Sequence, residues 1–306
     1  MNFKTVAIIN PASADNSTGL KWPDIAALLK RADIEIKEVF TSKPLEATML
    51  TKEHLKEGYN FIISVGGDGT LNEVVNGFFE YAYPINENAC LGIICRGTGG
   101  DFIKTLGIPK DEELAVQRIK EGNIKTIDIG CARLWKDNKE IIRYFINIAD
   151  VGIGGAVVQR VNNSPKRFGG FISFLHATLI TFWTYQNQPV KIIIDDEIER
   201  EIILNSLIVA NGQYFGGGMR IVPHANPSDG IFDILIMGDL TKKELYLNIA
   251  HVYKGTHLKH PKIEVLQAKS IKIFSKTPLL LDIDGEDAGV TPAEFNILPK
   301  MINVIC

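Results

Sequence analysis

Ser64-Val65-Gly66-Gly67-Asp68-Gly69-Thr70-Leu71-Asn72-Glu73-Val74-Val75-Asn76-Gly77 closes one element of the chain and opens another. Residues 61–65 are an apolar run with Ser64 as its one polar member, which has the length and composition of a buried strand. Beyond the glycines, Leu71, Val74, Val75, Phe78 and Phe79 recur at i, i+3, i+4, i+7 and i+8, an amphipathic helical stripe. The segment is therefore a strand, a glycine turn and a helix. Glycines at such a junction let the backbone approach a ligand closely. The first N–H groups of the helix have no intrahelical partner and carry the positive end of the dipole, so phosphate is their natural occupant. A plain turn with Asp68 as helix cap would begin the same way. A carboxylate beside phosphate makes sense when a metal ion lies between them.

Working outward, apolar runs recur at Thr5–Ile9, 34–40 and 91–95. Helical patterns separate them: one opened by Pro23 with Ile25, Leu28 and Leu29 on a face, one over 44–55, and the helix after Gly69. This βαβα alternation predicts a doubly wound parallel α/β domain over 1–125, with ligands at the carboxyl ends of its strands. From residue 126 the pattern changes to short strands at 127–134, 141–148, 190–194, 202–210, 230–237, 263–268, 270–274, 279–283 and 295–297. Asp195-Asp196 reads as a hairpin turn. Two helices interrupt the strands, one over 170–185 and one from a Thr241/Glu244 capping box to 253. A β-sandwich or barrel over 126–306 is expected, with the last ~15 residues free to return to the first domain.

Composition narrows the classes. The 306 residues are 45% hydrophobic and 23% charged, with 33 basic and 36 acidic side chains and a formal net charge of -3. No basic excess points to nucleic acid, and none is expected as a partner. Four cysteines (Cys90, Cys95, Cys131, Cys306) form no C-x-x-C pair and read as free thiols of a reducing compartment. The longest apolar stretch, 168–183, falls short of the ~20 residues that span a bilayer. The expectation is a cytoplasmic protein with at most peripheral membrane contact. The histidines show no metal-ligand spacing.

Gly66 to Gly77 resembles the signature of the diacylglycerol kinase catalytic domain, whose superfamily includes sphingosine, ceramide and NAD kinases. The G-G-D-G run is shared with NAD kinases and phosphofructokinases, but Leu71 to Gly77 is the lipid-kinase continuation. Neither a P-loop lysine motif nor the protein-kinase set is present. Five further segments match in order. Asn10-Pro11-Ala12-Ser13-Ala14 is similar to the family's N-P-x-S/A-G nucleotide loop, with Ala14 where glycine is usual. Thr41 stands where bacterial members have a nucleotide-contacting threonine. Arg96-Gly97-Thr98-Gly99-Gly100-Asp101-Phe102 resembles G-T-G/A-N-D-F, with Gly100 in place of asparagine. The block from Ala210-Asn211-Gly212 through Gly216-Gly217-Gly218 to Asp229-Gly230-Ile231-Phe232-Asp233 matches the family's N-G, G-G-G and D-G-x-x-D pattern. Asp284-Gly285-Glu286 matches its D-G-E motif.

The resemblance implies a nucleotide-binding domain followed by a β-sandwich, as in NAD kinase-like folds, and an ATP- and Mg²⁺-dependent phosphoryl transfer to a lipid hydroxyl. It implies nucleotide contacts from Asn10, Pro11, Thr41, Gly66, Gly67, Asp68, Gly69, Thr70, Leu71, Asn72, Glu73 and Thr98. It implies Mg²⁺ on Asn226, Asp229 and the carbonyl of Ile231, with Asp68 positioning a further Mg²⁺ at the phosphates directly or through water. Asp284 or Glu286 would take the hydroxyl proton, and the sequence does not choose between them. Diacylglycerol is the first substrate expected; a sphingoid base, ceramide or phosphatidylglycerol offers the same chemistry, and a NAD kinase or a non-catalytic nucleotide or lipid sensor of the same fold is the further alternative. The helix over 170–185, with Phe171, Phe174, Leu179 and Trp183, is a candidate wall for acyl chains, and Lys166-Arg167 before it a candidate headgroup contact. A homodimer is compatible with this reading.

Overall fold

The structure is a computed structural model that describes residues 3–163 and 170–306. Lys166 and Arg167, and the side chains of Phe171 and Phe174, lie outside the described residues. The chain forms two units, Met1–Ile129 with Pro299–Cys306, and Gly130–Leu298.

The first unit runs β1 (Thr5–Ile9), α1 (Ser17–Arg31), β2 (Lys37–Phe40), α2 (Glu46–Lys56), β3 (Phe61–Gly66), α3 (Asp68–Gly77), a small ribbon of β4 (Phe79–Glu80) and β5 (Tyr83–Pro84), β6 (Cys90–Cys95), α4 (Asp101–Leu106), α5 (Glu112–Glu121) and the start of β7 (Ile124–Lys136). Strands β6, β3, β1 and β2 pair in parallel, in that order. Ala7, Ile9, Phe61, Ile63, Val65 and Ile94 pack on Trp22, Ile25 and Leu29 of α1 and Val116 and Ile119 of α5. Val6, Ile8, Ile62 and Leu91 are equally buried, so both faces of the sheet are covered. Helix α1 begins six residues before Pro23, which lies inside it rather than at its start. The start is set instead by the loop 11–19, where Gly19 N–H bonds the Pro11 carbonyl and Ser13 and Thr18 share a hydroxyl contact of 2.6 Å.

The second unit continues with β8 (Lys139–Phe145), β9 (Ile148–Gly152), α6 (Ile153–Asn162), α7 (Gly170–Thr184), β10 (Gln188–Ile194), β11 (Ile198–Leu204), β12 (Ser206–Ala210), β13 (Phe232–Met237), α8 (Lys242–Lys254), β14 (Ile263–Ala268), β15 (Ser270–Ser275), β16 (Leu280–Ile283) and β17 (Glu286–Ile305). Antiparallel pairing gives β14-β13-β12-β9-β16-β17, and β17 also pairs with β15, which continues to β10 and β11. Phe145 stacks on Phe232 at 5.6 Å and meets Phe295 edge-on at 6.3 Å, in a core shared by alternate residues of both arms. This is the expected sandwich. The capping box of Thr241 and Glu244 is formed. Asp195 and Asp196 turn β10 into β11 with both backbones left-handed.

Three sequence expectations are corrected. Residues 141–148 and 202–210 are each two strands, broken at 146–147 and at Asn205. The 295–297 segment is part of one 20-residue strand, β17. Helix α6 is a third helix among the described residues of this unit. Its second and third residues are Gly154 and Gly155, which weaken the helical signal because glycine has low helix propensity. Both are required by packing: a Cβ on Gly155 would stand 2.5 Å from the Leu280 carbonyl, and one on Gly154 would overlap the Asp150 carboxylate.

Candidate active site

The phosphate loop is built by three strand ends of the first unit. Gly67 caps α3, and Leu71 N–H returns to the Gly67 carbonyl at 3.0 Å, so Asp68, Gly69 and Thr70 form the first helical turn. A Cβ on Gly66 would collide with Thr70, and one on Gly97 would lie 2.6 Å from Gly67 Cα. The two glycine turns thus touch backbone to backbone. Asn10 Nδ2 donates to Thr70 Oγ1 at 3.0 Å, and Arg96 N–H bonds the Gly66 carbonyl at 2.6 Å. The Arg96 guanidinium pairs with Glu112 and bonds Ser17 Oγ at 3.0 Å, tying this loop to α1 and α5. Residues from three separate motifs therefore converge on one turn of backbone N–H groups.

Asp68 binds the next loop. Its oxygens accept from Gly100 N–H at 2.8 Å and Asp101 N–H at 3.1 Å, and Phe102 N–H adds to them. It thereby caps α4 across the site, in place of any side chain from Gly100. Burial, and second the neighbouring Asp101 charge, push the Asp68 carboxyl above its ordinary range, while the N–H donors pull it back. Asp101 is itself buried and pairs with Lys104 at 2.8 Å. Thr98 is exposed, with its carbonyl accepting from Lys110 at 3.2 Å, and Thr41 is buried beside the end of β1, its N–H on Ile9 O.

The rest of the motif has another job. Leu71 is a core side chain, Asn72 is fully buried and bonded by Asn76, and Glu73 accepts Leu45 N–H at 2.9 Å and Ala47 N–H at 3.1 Å. Glu73 thus caps α2, and the side chains of residues 71–73 are engaged in the fold. An expected result follows. Gly97→Ala should separate the two glycine turns and weaken ATP binding by about tenfold or more, read by titration calorimetry. Unchanged affinity would mean that the close approach is not what shapes the loop.

In the second unit, Asp284 has a left-handed backbone at φ 51° and opens the Asp-Gly-Glu turn. Its carboxylate accepts three backbone N–H bonds: Ile146 at 3.0 Å on Oδ2, and Asn147 at 3.1 Å and Ile148 at 2.9 Å on Oδ1. Asp284 N–H answers to the Ile148 carbonyl at 2.9 Å. Asn211, from the N-G motif, donates to the Ile146 carbonyl at 2.7 Å, and its N–H and that of Gly212 bond the Asn147 carbonyl at 2.9 Å. The hub joining these motifs, residues 146–148, was not singled out from sequence. Its only signal was the polar Asn147 inside an apolar run. Glu286 is exposed.

Asn226 and Asp229 are exposed on the turn before β13, where Ser228 N–H bonds the Asn226 carbonyl at 2.8 Å and Ile231 N–H bonds Asp229 Oδ1 at 3.3 Å. The donors on offer here are all oxygens, a set that fits a hard cation such as Mg²⁺. Asp68 fits less directly. Three N–H donors occupy all but about one of the ~four lone-pair sites of a carboxylate, which leaves room for an outer, water-mediated contact.

A parallel sheet ending in a glycine turn and a helix start, followed by a sandwich carrying a carboxylate turn, is the architecture of the NAD kinase-like fold. Residues 4–132 match the family described as diacylglycerol kinase catalytic domain, and residues 147–306 the YegS C-terminal NAD kinase beta sandwich-like domain. The chain belongs to the diacylglycerol kinase family. It is similar to a diacylglycerol kinase of Staphylococcus carnosus (strain TM300), at 33% identity over 305 residues covering 99% of this chain and 95% of that one. A crystal structure from Bacillus anthracis str. Sterne superposes with a TM-score of 0.79 at 26% identity, covering 99% and 97% of the two chains. Yeast NADH kinase, at a TM-score of 0.54 and 13% identity over 99% and 83%, shares the fold alone. Among the described residues no helix is long and apolar enough to cross a membrane.

Proposed function

We propose that this kinase transfers the γ-phosphate of ATP to the hydroxyl of diacylglycerol, giving phosphatidic acid. The observation that carries this reading is the convergence of Asn10, Gly66–Thr70 and Gly97 on one phosphate-binding turn, in a chain similar over nearly its whole length to a protein named diacylglycerol kinase. Phosphoryl transfer is a matter of positioning and charge compensation more than of covalent chemistry. The N–H groups of residues 67–70 hold phosphate oxygens, and Asp68 fixes the 98–102 loop against them. The Asp284–Glu286 turn supplies the carboxylate that accepts the lipid hydroxyl proton. Asp284 is the fixed member and Glu286 the exposed one. Asn226, Asp229 and the Ile231 carbonyl would hold Mg²⁺, which would supply positive charge there or clamp the turn.

A lipid substrate requires work at a membrane surface. Helix α7 ends with Leu179 exposed and Trp183 66% exposed, with Lys242 over the Trp183 ring at 5.2 Å. An aromatic and a cation side by side suit a headgroup boundary. The test is transfer of labelled γ-phosphate with Mg²⁺ into a panel of diacylglycerol, other lipid alcohols and NAD. Label extracted into organic solvent at the position of phosphatidic acid is expected. Label in another lipid would change the substrate, and label confined to an aqueous NAD product would overturn the lipid reading.

A further inference from the structure

Asp150 on β9 and Asp282 on β16 stand directly opposite each other in antiparallel register. Directly opposed residues put their side chains on the same face of a sheet, close enough to interact. Leu281 and Ile283 face the sandwich core, so the two aspartates face the other side, the one covered by α6. They are 2% and 6% exposed, and among the described residues neither forms a salt bridge. Ser206 Oγ donates to Asp150 Oδ1 at 2.6 Å. The first turn of α6 is pressed on the same carboxylate, with Gly154 the only residue type that leaves room for it. The Tyr185 hydroxyl is buried nearby, with no hydrogen-bond partner among the described residues. Asp282 is tied to the catalytic turn, because its Oδ1 accepts the Gly285 N–H at 2.7 Å.

Two carboxylates so placed cannot both ionise cheaply: burial penalises each charge, and each charge penalises the other. Burial pushes Asp150 up to about 7, and burial followed by the Asp150 charge holds Asp282 well above the usual range. The ionisable groups that act on the pair are one another, Tyr185 from the end of α7, and Asp284 and Glu286 of the turn, all acids.

We propose that Asp150 and Asp282 share a proton and act as a positioning pair, whose proton keeps the Asp284–Glu286 turn in place and whose loss loosens it. This rests on the reading of that turn as the base of the kinase reaction. The sign follows from linkage. The pair holds in the folded state a proton that the unfolded chain has released, so the stability it supplies is complete below the ordinary carboxylate range and declines as pH rises through the folded value of the pair.

The experiment compares wild type with Asp150→Asn and Asp282→Asn, each isosteric with a protonated acid and able to keep its hydrogen bond. The melting temperature of each variant minus that of wild type is expected to rise between about pH 5 and about pH 9. The infrared band of a neutral carboxylic acid should be present in wild type near neutral pH and diminished in both variants. The alkaline fall of kcat should move up by about one pH unit or more in Asp150→Asn, with KM little changed. A melting difference independent of pH, or no neutral-acid band, overturns the shared proton. A pH-dependent melting difference with an unmoved kcat profile overturns the positioning role. A wild type that phosphorylates no alcohol would defeat the kinase reading instead, and the melting and infrared results would stand apart from it.

Discussion

Replacing Asp284 by alanine is expected to reduce phosphoryl transfer by at least about a hundredfold, the range of a lost general base, and to destabilise the protein at the same time. The second effect comes from the N–H groups of Ile146, Asn147 and Ile148, all of which lose their acceptor. An unsatisfied buried donor costs about 1–3 kcal/mol. The site is half-buried and water replaces part of the loss, so a total of about 2–4 kcal/mol is expected. Asp284→Asn should be intermediate in stability, because its amide oxygen still serves two of the donors while its NH₂ opposes Ile146 N–H. Glu286→Gln removes an exposed carboxylate and should leave the melting temperature within a degree or two. Kinetics with thermal denaturation of all three variants assigns the base. If Glu286→Gln abolishes transfer and Asp284→Asn retains it, Asp284 is the anchor of the turn and Glu286 takes the proton.

Asp68→Asn carries the second large effect, a loss of about a thousandfold in kcat/KM on removing a charge-orienting group of the phosphate site. The mutation leaves one acceptor oxygen for three N–H donors, Gly100, Asp101 and Phe102, so the loop carrying Thr98 loses its fixed position. Its pH dependence has a definite sign. Because burial raises the folded-state value of Asp68, wild type loses stability as pH rises through that value, and Asp68→Asn does not. The melting temperature of the variant relative to wild type should therefore increase from acid to neutral pH while activity stays low. Retained activity in Asp68→Asn would show that the loop is held by its backbone contacts alone.

The parts of the site that could be read from sequence were those whose local chemistry suffices. Gly66, Gly67 and Gly97 mark a close backbone approach wherever they fall, and the continuous apolar runs of β1, β3 and β6 mark a sheet covered on both faces. What could not be read depended on distant partners. Glu73 looks like part of a ligand motif until Leu45 and Ala47, more than 25 residues earlier, are seen to occupy its oxygens. Asp150 and Asp282 fall at positions where strand alternation predicts a buried face, and nothing local says that each answers the other. Helix α6 was hidden by the glycines that let it sit against them. Strand β17 was hidden by Gly289, Pro292 and Pro299, which break its pattern, and its pairing with β16 shifts register beside Gly289.

The parallel sheet of the nucleotide-binding unit ends on a late arrival: Asn303 and Val304 pair with Cys90 and Leu91 of β6. During synthesis the amino-terminal strands emerge first. Until residue 304 has left the ribosome, one flank of β6 is an uncovered sheet edge, the kind of surface that recruits wrong partners. Closing that edge joins residues more than 200 positions apart, which is slow on entropic grounds. A chain halted anywhere before β17 is completed would expose this edge, so that an incomplete kinase is a target for chaperones and proteases before it can act.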